Sequence, residues 1–151
     1  MPWCYRDSIS YCAQYGRLYD WATAIKVCPK DWHLPSNDEW SKLYHYADGT
    51  SSTEILYDSE TAGKYLKATS GWNDYKEKSG NGEDKFGFSA LPGAGHYGGL
   101  FNNVGCVGYW WSASKDYSYY AYSRFMFCNY ENAYWGSTDK SNLFSVRCVR
   151  D

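Results

Sequence analysis

The sequence predicts a mixed fold in which helices occupy the first half of the chain and strands occupy the last third. Ser36 and Glu39 have the spacing of a capping box, which marks the start of a helix. From Val104 to Asp151, apolar and polar residues alternate over short runs separated by turn residues, a pattern typical of half-buried strands. With 151 residues, the chain is long enough for one domain with its own core. We therefore expect residues 1–151 to form a single domain.

Three helices are predicted from caps and periodicity. Asp20 can cap a helix over Trp21–Val27, which must end before Pro29. The helix that follows Ser36 presents apolar residues at helical spacing and ends near Asp48 and Gly49. A shorter helix is predicted over Ser59–Lys67.

Alternation in the last third predicts strands at Tyr109–Ser114, Ala121–Asn129, Ala133–Ser137 and Phe144–Val149, with a hairpin turn at Asn129–Asn132. Both faces of the second of these strands carry aromatic side chains, so we expect one face to expose them as a working surface. Shorter strands are predicted at Arg17–Tyr19 and Phe86–Leu91. The predicted core comprises Trp32, Leu34, Trp40, Leu43, Phe88, Leu91, Trp111, Phe144 and Val146.

Charge and composition argue against two classes of partner. The net charge is −2 and no basic run is present, so we expect no nucleic-acid binding. No apolar stretch approaches the roughly 20 residues of a membrane helix, so we expect no membrane insertion by this domain. The aromatic fraction is 21%, with 17 Tyr and 8 Trp. This fraction has two interpretations, an aromatic β-rich core and a recognition surface, because Tyr combines contact area with a polar tip.

The cysteine and histidine content bears on redox chemistry and metals. Six cysteines, an even number, predict oxidation in a secretory compartment. Cys4 and Cys12 bracket a short loop, which favours a local disulfide over free thiols. No CxxC motif is present and none of the three histidines has ligand spacing to a cysteine pair, so no metal or cofactor is expected. Trp72-Asn73-Asp74 superficially resembles a calcium-lectin signature but has no second cluster of oxygen ligands, and His33 is interpreted as a hydrogen-bonded structural residue.

Six stretches together resemble one known family. They are GRLYDW, VCPKDWHLPSNDEW, AGKYLKATSGWN, FGFSALPG, NVGCVGYWWSAS and FSVRCVRD. In this order they are similar to the Fibrobacter succinogenes major paralogous domain, of the C-type-lectin-like superfamily and its formylglycine-generating-enzyme branch. The resemblance implies an α+β fold with two helices, a small twisted antiparallel sheet and long irregular loops. It also implies a bacterial extracellular or cell-surface domain, at the C-terminal end of a longer secreted protein or lipoprotein.

The resemblance also implies a disulfide pairing. Members of the superfamily close the fold with a bridge between the first helical region and the last strand, and the matching positions are Cys28 and Cys148. Cys106 and Cys128 are then left over and could pair across the sheet. That second pairing is not part of the family pattern.

A further resemblance concerns the variable proteins of diversity-generating retroelements. Their C-terminal segment is rewritten at adenines of Asn-type codons, which yields mainly Tyr, Phe, Ser, Asp, Gly, Cys, Thr or His. Most residues between Asp116 and Asn142 belong to this set. Framework-like positions between them are Ala121, Arg124, Met126, Lys140 and Ser141. The alternative is ordinary drift in a pair of Tyr-rich strands.

These observations favour a ligand-binding module. Its predicted binding residues are Tyr117, Tyr119, Tyr120, Tyr122, Phe125, Phe127, Asn129 and Tyr134, and its predicted partner is a protein or glycan on another cell or on a phage. A structural or adhesin-tip component of a surface assembly is the alternative. An oxidase related to the formylglycine-generating enzymes requires a nearby pair of thiols, but Cys128 has no close partner before Cys148. We therefore expect no enzyme, and His45 and His96 have no evident nucleophile partner.

Overall fold

The structure is a computed structural model that describes residues 2–151; Met1 lies outside the described residues. The helices are α1 (Ile9–Tyr15), α2 (Trp21–Ala24), α3 (Asn37–Asp48) and α4 (Ala62–Leu66). The strands are β1 (Trp32–His33), β2 (His96–Tyr97), β3 (Leu100–Phe101), β4 (Val107–Lys115), β5 (Tyr120–Phe127), β6 (Tyr134–Asp139) and β7 (Val149–Arg150). Helices in the first half and small antiparallel sheets make the fold α+β.

The central sheet contains β4, β5 and β6 in sequence order, and both strand pairs are antiparallel. Its register aligns Tyr109 with Phe125 and Phe125 with Tyr134. Side chains of aligned residues lie on the same face of a sheet, so this register collects aromatic rings in a row across three strands. The hairpin turn between β5 and β6 occupies residues 128–133.

Helix α3 packs against the sheet and begins at the capping box that the sequence predicts. The Ser36 hydroxyl accepts from the Glu39 amide, and the Glu39 carboxylate accepts from the Ser36 amide. The helix ends at Gly49, whose φ of 75° is the left-handed conformation of a C-terminal cap. Its buried Trp40 and Tyr44 belong to a cluster with residues of the sheet and of α4. The Tyr44 hydroxyl also donates to the Tyr134 carbonyl at 3.0 Å, which ties the helix to β6.

Residues 19–33 pair with the C-terminal part of the chain. Strand β1 pairs with β7, and the Cys28–Cys148 disulfide joins the same regions with a Cα–Cα distance of 5.8 Å. Tyr19 pairs with Phe144 through two backbone hydrogen bonds. The Cys4–Cys12 and Cys106–Cys128 disulfides are also formed, so all six cysteines are bonded.

Several elements of the structure differ from the predicted ones. Helix α1, none of whose residues is fully buried, has no counterpart among the predicted elements. The helix predicted over Trp21–Val27 ends at Ala24. Residues 86–91 form no strand, because the Asp84 carboxylate binds both the amide and the hydroxyl of Ser89 and holds a turn. Residues 144–148 divide their hydrogen bonds between several partners, so only β7 forms a short strand beyond them.

The core is largely the predicted one, with two corrections. Leu34, Trp40, Trp111 and Phe144 are buried, and Leu43, Phe88 and Val146 pack partly buried against them. Trp32 is 44% exposed and Leu91 is 38% exposed, so neither belongs to the core. Trp32 lies on a two-residue strand that pairs on one side only, which leaves its ring at the surface. Within residues 2–151, no helix combines the length and apolar character needed to cross a membrane.

Candidate functional site

The candidate site is a row of aromatic rings on one face of the central sheet. Tyr109 lies 5.8 Å from Phe125, and Phe125 lies 5.3 Å from Tyr134 with nearly parallel rings, measured between ring centroids. Tyr97 of the β2–β3 hairpin stacks on Tyr109 at 6.1 Å, and Tyr130 of the β5–β6 turn meets Tyr134 edge-on at 6.4 Å. Each separation is within the range of favourable aromatic pairs.

Phe127 completes this set. Its ring contacts Phe125, Tyr130 and Tyr134 at centroid distances between 5.6 and 6.3 Å. We call the six residues the aromatic surface: Tyr97, Tyr109, Phe125, Phe127, Tyr130 and Tyr134. The inner four rings are half-buried, whereas Tyr97 and Tyr130 at the two ends are 46% and 51% exposed. The rings therefore hold one another in place while their outer edges face solvent.

Two tyrosines of the aromatic surface, Tyr109 and Tyr134, have a raised phenol pKa, so both phenols stay neutral at neutral pH. Burial raises the pKa of Tyr109 above its usual value, and Tyr97 adds to this effect. The pKa of Tyr134 is raised chiefly by burial and also by the neighbouring Tyr130. Neutral phenols combine apolar contact area with a hydroxyl that can donate or accept, so the surface suits a partner with both apolar and polar groups.

Lys67 holds the β5–β6 turn beside this surface. Its ammonium donates to the Phe127 carbonyl at 3.1 Å and to the Tyr130 carbonyl at 2.9 Å, and it lies 5.2 Å from the centre of the Trp72 ring. Burial lowers the pKa of Lys67 to about 8, against the opposing charge of Glu131. Lys67 therefore fixes the backbone at the end of β5 and within the turn, and so positions the Tyr130 ring.

The structure brings together only part of the predicted binding set. Phe125, Phe127 and Tyr134 lie side by side, as the strand periodicity predicts. Tyr122 lies on the opposite face of β5, where its ring is 6.0 Å from Trp135 and its hydroxyl donates to Asp116 at 3.2 Å. Asn129 is half-buried in the turn and lines a neighbouring cavity of about 390 Å³.

The remaining predicted residues form a second group at the other end of β5. Tyr117 and Tyr119 are 72% and 76% exposed in the loop between β4 and β5, and Tyr120 is 46% exposed. The Lys140 ammonium donates to two carbonyls of this loop, those of Tyr117 and Ser118. The strand that separates this loop from the β5–β6 turn spans about 25 Å at the usual rise per residue. One small ligand cannot contact both groups.

Sequence reasoning did not include Tyr97, Tyr109, Tyr130 or Lys67 in the site. Tyr109 has a signal in the sequence, since it alternates along a predicted strand. Tyr97 and Lys67 have no such signal in the sequence. Tyr97 lies on the separate β2–β3 hairpin and Lys67 directly follows α4, and only the tertiary fold brings them next to the sheet. Tyr130 lies in the predicted turn, where alternation no longer assigns a face.

The three histidines all make structural contacts. His33 lies between two carboxylates, with Nδ1 2.6 Å from Asp151 and Nε2 2.7 Å from Glu39. Nε2 of His45 is 2.7 Å from the Glu54 carbonyl, and the His96 ring packs edge-on against Phe101. In the part of the chain that the structure describes, no three His, Cys, Asp or Glu side chains are grouped to hold a metal ion.

The Trp72-Asn73 segment has structural contacts. The indole of Trp72 donates to the Ala90 carbonyl at 2.9 Å. The Asn73 amide donates to the Gly105 carbonyl, and its side chain packs against the same glycine. A side chain at position 105 would collide with Asn73. The φ of 89° at Gly105 also disfavours any residue with a side chain at this position.

Replacing His33 with Gln should produce a loss of stability that depends on pH. Asp151 and then Glu39 raise the pKa of His33 above its usual value, so the folded state binds the proton more tightly than the unfolded state. The stabilisation is fully present below pH about 6.5 and is lost as pH rises through the raised pKa. Urea unfolding of both proteins at pH about 5.5 and 8.5 measures this. An equal difference at both pH values would contradict it.

Comparison with known proteins identifies the family. The model of the Fibrobacter succinogenes major domain matches residues 2–150, almost the whole chain. Neither a curated protein nor a solved structure matches it. Three disulfides fit a disulfide-rich extracellular domain. The match over nearly every residue shows that the chain belongs to the Fibrobacter succinogenes major domain family.

Proposed function

We propose that the protein is an extracellular ligand-binding module whose aromatic surface contacts a protein or glycan on another cell or on a phage. The observation that carries this proposal is the continuous contact between rings from Tyr97 to Tyr130 across three strands. Ordered aromatic anchors lose little rotamer freedom on binding, and they pack on apolar protein groups or on sugar rings. The half-buried inner rings and exposed outer rings give such a surface both rigidity and access.

A binding role is also favoured over catalysis by the state of the cysteines. All six cysteines are paired in disulfides. The described chain therefore offers no pair of thiols for an oxidase reaction like that of the formylglycine-generating enzymes. The Cys106–Cys128 bridge joins the residue before β4 to the residue after β5, at the start of the turn that carries Tyr130. This bridge supports a rigid display of the turn.

We further propose that residues 116–142 form a diversified patch on a C-type-lectin-like scaffold. Three of the five framework-like residues, Ala121, Arg124 and Met126, are completely buried, whereas Tyr117 and Tyr119 of the same segment are among the most exposed aromatics. Buried framework positions and exposed variable ones would allow the patch to change without loss of the fold. The pairing of β1 with β7 and the Cys28–Cys148 bridge support the scaffold assignment, because both join the first helical region to the last strand.

The test is a double variant, Phe125→Ala with Phe127→Ala, assayed against glycan arrays and candidate surface proteins. We expect binding to fall by a factor of about 30 or more, because central aromatic anchors often contribute 2 kcal/mol or more. Both rings are half-buried, so a modest decrease in melting temperature is expected as well. The decrease in binding should persist at a temperature where the variant is fully folded.

Two matched controls separate the possible outcomes. Tyr46→Ala removes a ring that is 70% exposed on α3, away from the sheet face, and should leave binding unchanged. Tyr117→Ala with Tyr119→Ala removes the exposed loop group and should leave the melting temperature unchanged. A large thermal loss in the Phe125/Phe127 variant with binding intact would contradict the proposal. Binding that is lost only in the loop variant would place recognition at the β4–β5 loop.

A further inference from the structure

A second concave site lies between α3 and the last strand, on residues that the aromatic surface does not use. It has a volume of about 490 Å³, which is within the usual range for small-molecule sites. Its walls are apolar and are formed by Pro35, Trp40, Leu43, Phe88 and Val149. Trp40 and Phe88 meet edge-on at 6.0 Å and form an aromatic corner. We call this site the Arg147 groove, after the charged residue at its edge.

Arg147 brings a positive charge to this apolar site. Its guanidinium carbon lies 4.2 Å from the centre of the Phe88 ring, so the charged group is positioned on a wall of the groove. Burial lowers the pKa of Arg147, and the neighbouring charge of Asp84 opposes this effect. An arginine remains charged at neutral pH even when it is partly desolvated.

Every other charged group at the groove already has a partner. The Glu39 carboxylate accepts from the Ser36 amide and contacts His33. Lys42 forms an ion pair with Asp38.

Asp84, whose charge acts on Arg147, also has partners, because its carboxylate accepts from the amide and the hydroxyl of Ser89. Within residues 2–151, no hydrogen bond or ion pair ends on the Arg147 guanidinium. Five N–H donors therefore remain available beside an apolar cavity.

We propose that the Arg147 groove binds a small carboxylic acid with an apolar or aromatic body. The carboxylate lies on the Arg147 guanidinium in the forked geometry that arginine offers, and the body lies against Trp40 and Phe88. The charge selects an acid over a neutral molecule of the same shape. The apolar walls select against small hydrophilic anions such as acetate, which gain little from burial.

The test uses 4-phenylbutyrate as the probe and its neutral amide, 4-phenylbutyramide, as the matched ligand. Both are titrated into the isotope-labelled protein at pH about 7, and binding is followed through the backbone amide signals of Leu43, Phe88 and Val149 by nuclear magnetic resonance. We expect the acid to shift these signals and to bind at least tenfold more tightly than the amide. Signals of the aromatic surface should not move.

Variants assign the selectivity to one side chain. Arg147→Met keeps an unbranched apolar stem and removes the charged guanidinium, so the preference for the acid should vanish. Arg147→Lys keeps the positive charge but lacks the two parallel N–H donors of the guanidinium. This variant should still prefer the acid over the amide, with lower affinity for the acid. Arg150→Met removes the exposed cation three residues further on and should change nothing.

The proposal would be overturned by equal affinity of wild type for acid and amide, by an acid preference that survives Arg147→Met, or by signal changes confined to other regions. If Arg147→Met does not fold, the acid–amide comparison on wild type and on Arg147→Lys still decides. Loss of the acid preference in Arg147→Lys together with its loss in Arg150→Met would indicate a general charge effect and would also overturn it.

Discussion

Replacing both Cys28 and Cys148 with alanine is expected to lower the free energy of unfolding by about 4–5 kcal/mol. The two residues are separated by 120 positions, so the bridge closes a loop of most of the chain and strongly restricts the unfolded state. The native geometry accommodates the bridge, since the Cα–Cα distance of 5.8 Å is the usual one for a disulfide. Natural domains are stable by only about 5–15 kcal/mol, so the variant should be close to unfolding at physiological temperature.

The matched control is Cys4→Ala with Cys12→Ala. This bridge spans only 8 positions, for which the same chain-entropy relation gives about 2.5 kcal/mol. Urea unfolding of the two double variants and the wild type under non-reducing conditions measures the difference. Equal losses in the two variants would show that the loop-closure argument does not describe this domain.

Features that depend on nearby residues could be predicted from the sequence. The start of α3 requires only Ser36 and Glu39, three positions apart, and both reciprocal hydrogen bonds are present. The faces of β5 follow from alternation, which correctly places Phe125 and Phe127 together. Local signals of this kind do not depend on how the rest of the chain folds.

Features set by distant contacts could not be predicted in the same way. Phe86–Leu91 has the composition of a strand, but the Asp84–Ser89 hydrogen bonds and a positive φ at Ser89 form a turn instead. Arg124 alternates with apolar residues and is completely buried, where its guanidinium donates to backbone carbonyls and lies near the Tyr44 ring. Hydrophobic alternation along a strand does not predict a buried arginine whose hydrogen-bond partners come from three separate segments.

The candidate site shows the same division. Alternation assigns Phe125 and Phe127 to one face, but the predicted set also contained Tyr122, which the same period assigns to the other. Tyr97 joins the aromatic surface only because the β2–β3 hairpin folds back over Tyr109. In the described chain, Arg147 has no hydrogen-bonded carboxylate because the nearby carboxylates bind other groups. This can be recognised only once all contacts of those carboxylates are known.

Replacing Trp111 with alanine is expected to lower the free energy of unfolding by about 3–5 kcal/mol, the usual cost of truncating a buried tryptophan. Trp111 is fully buried, and its ring centre lies 4.5 Å from that of Phe144. Its indole N–H donates to the Tyr19 carbonyl at 2.7 Å, so the truncation also removes one of the two hydrogen bonds that this carbonyl accepts, the other coming from the Phe144 amide. Core packing and the connection between the N-terminal segment and the sheet are lost together.

The matched control is Trp32→Ala, which removes the same number of atoms from a ring that is 44% exposed. We expect that variant to lose about 1 kcal/mol or less, because most surface substitutions have small effects. Chemical unfolding followed by circular dichroism compares the two, and Trp111→Phe separates the indole hydrogen bond from the packing if the alanine variant does not fold. Losses of similar size at positions 32 and 111 would contradict the assignment of Trp111 to the core and Trp32 to the surface.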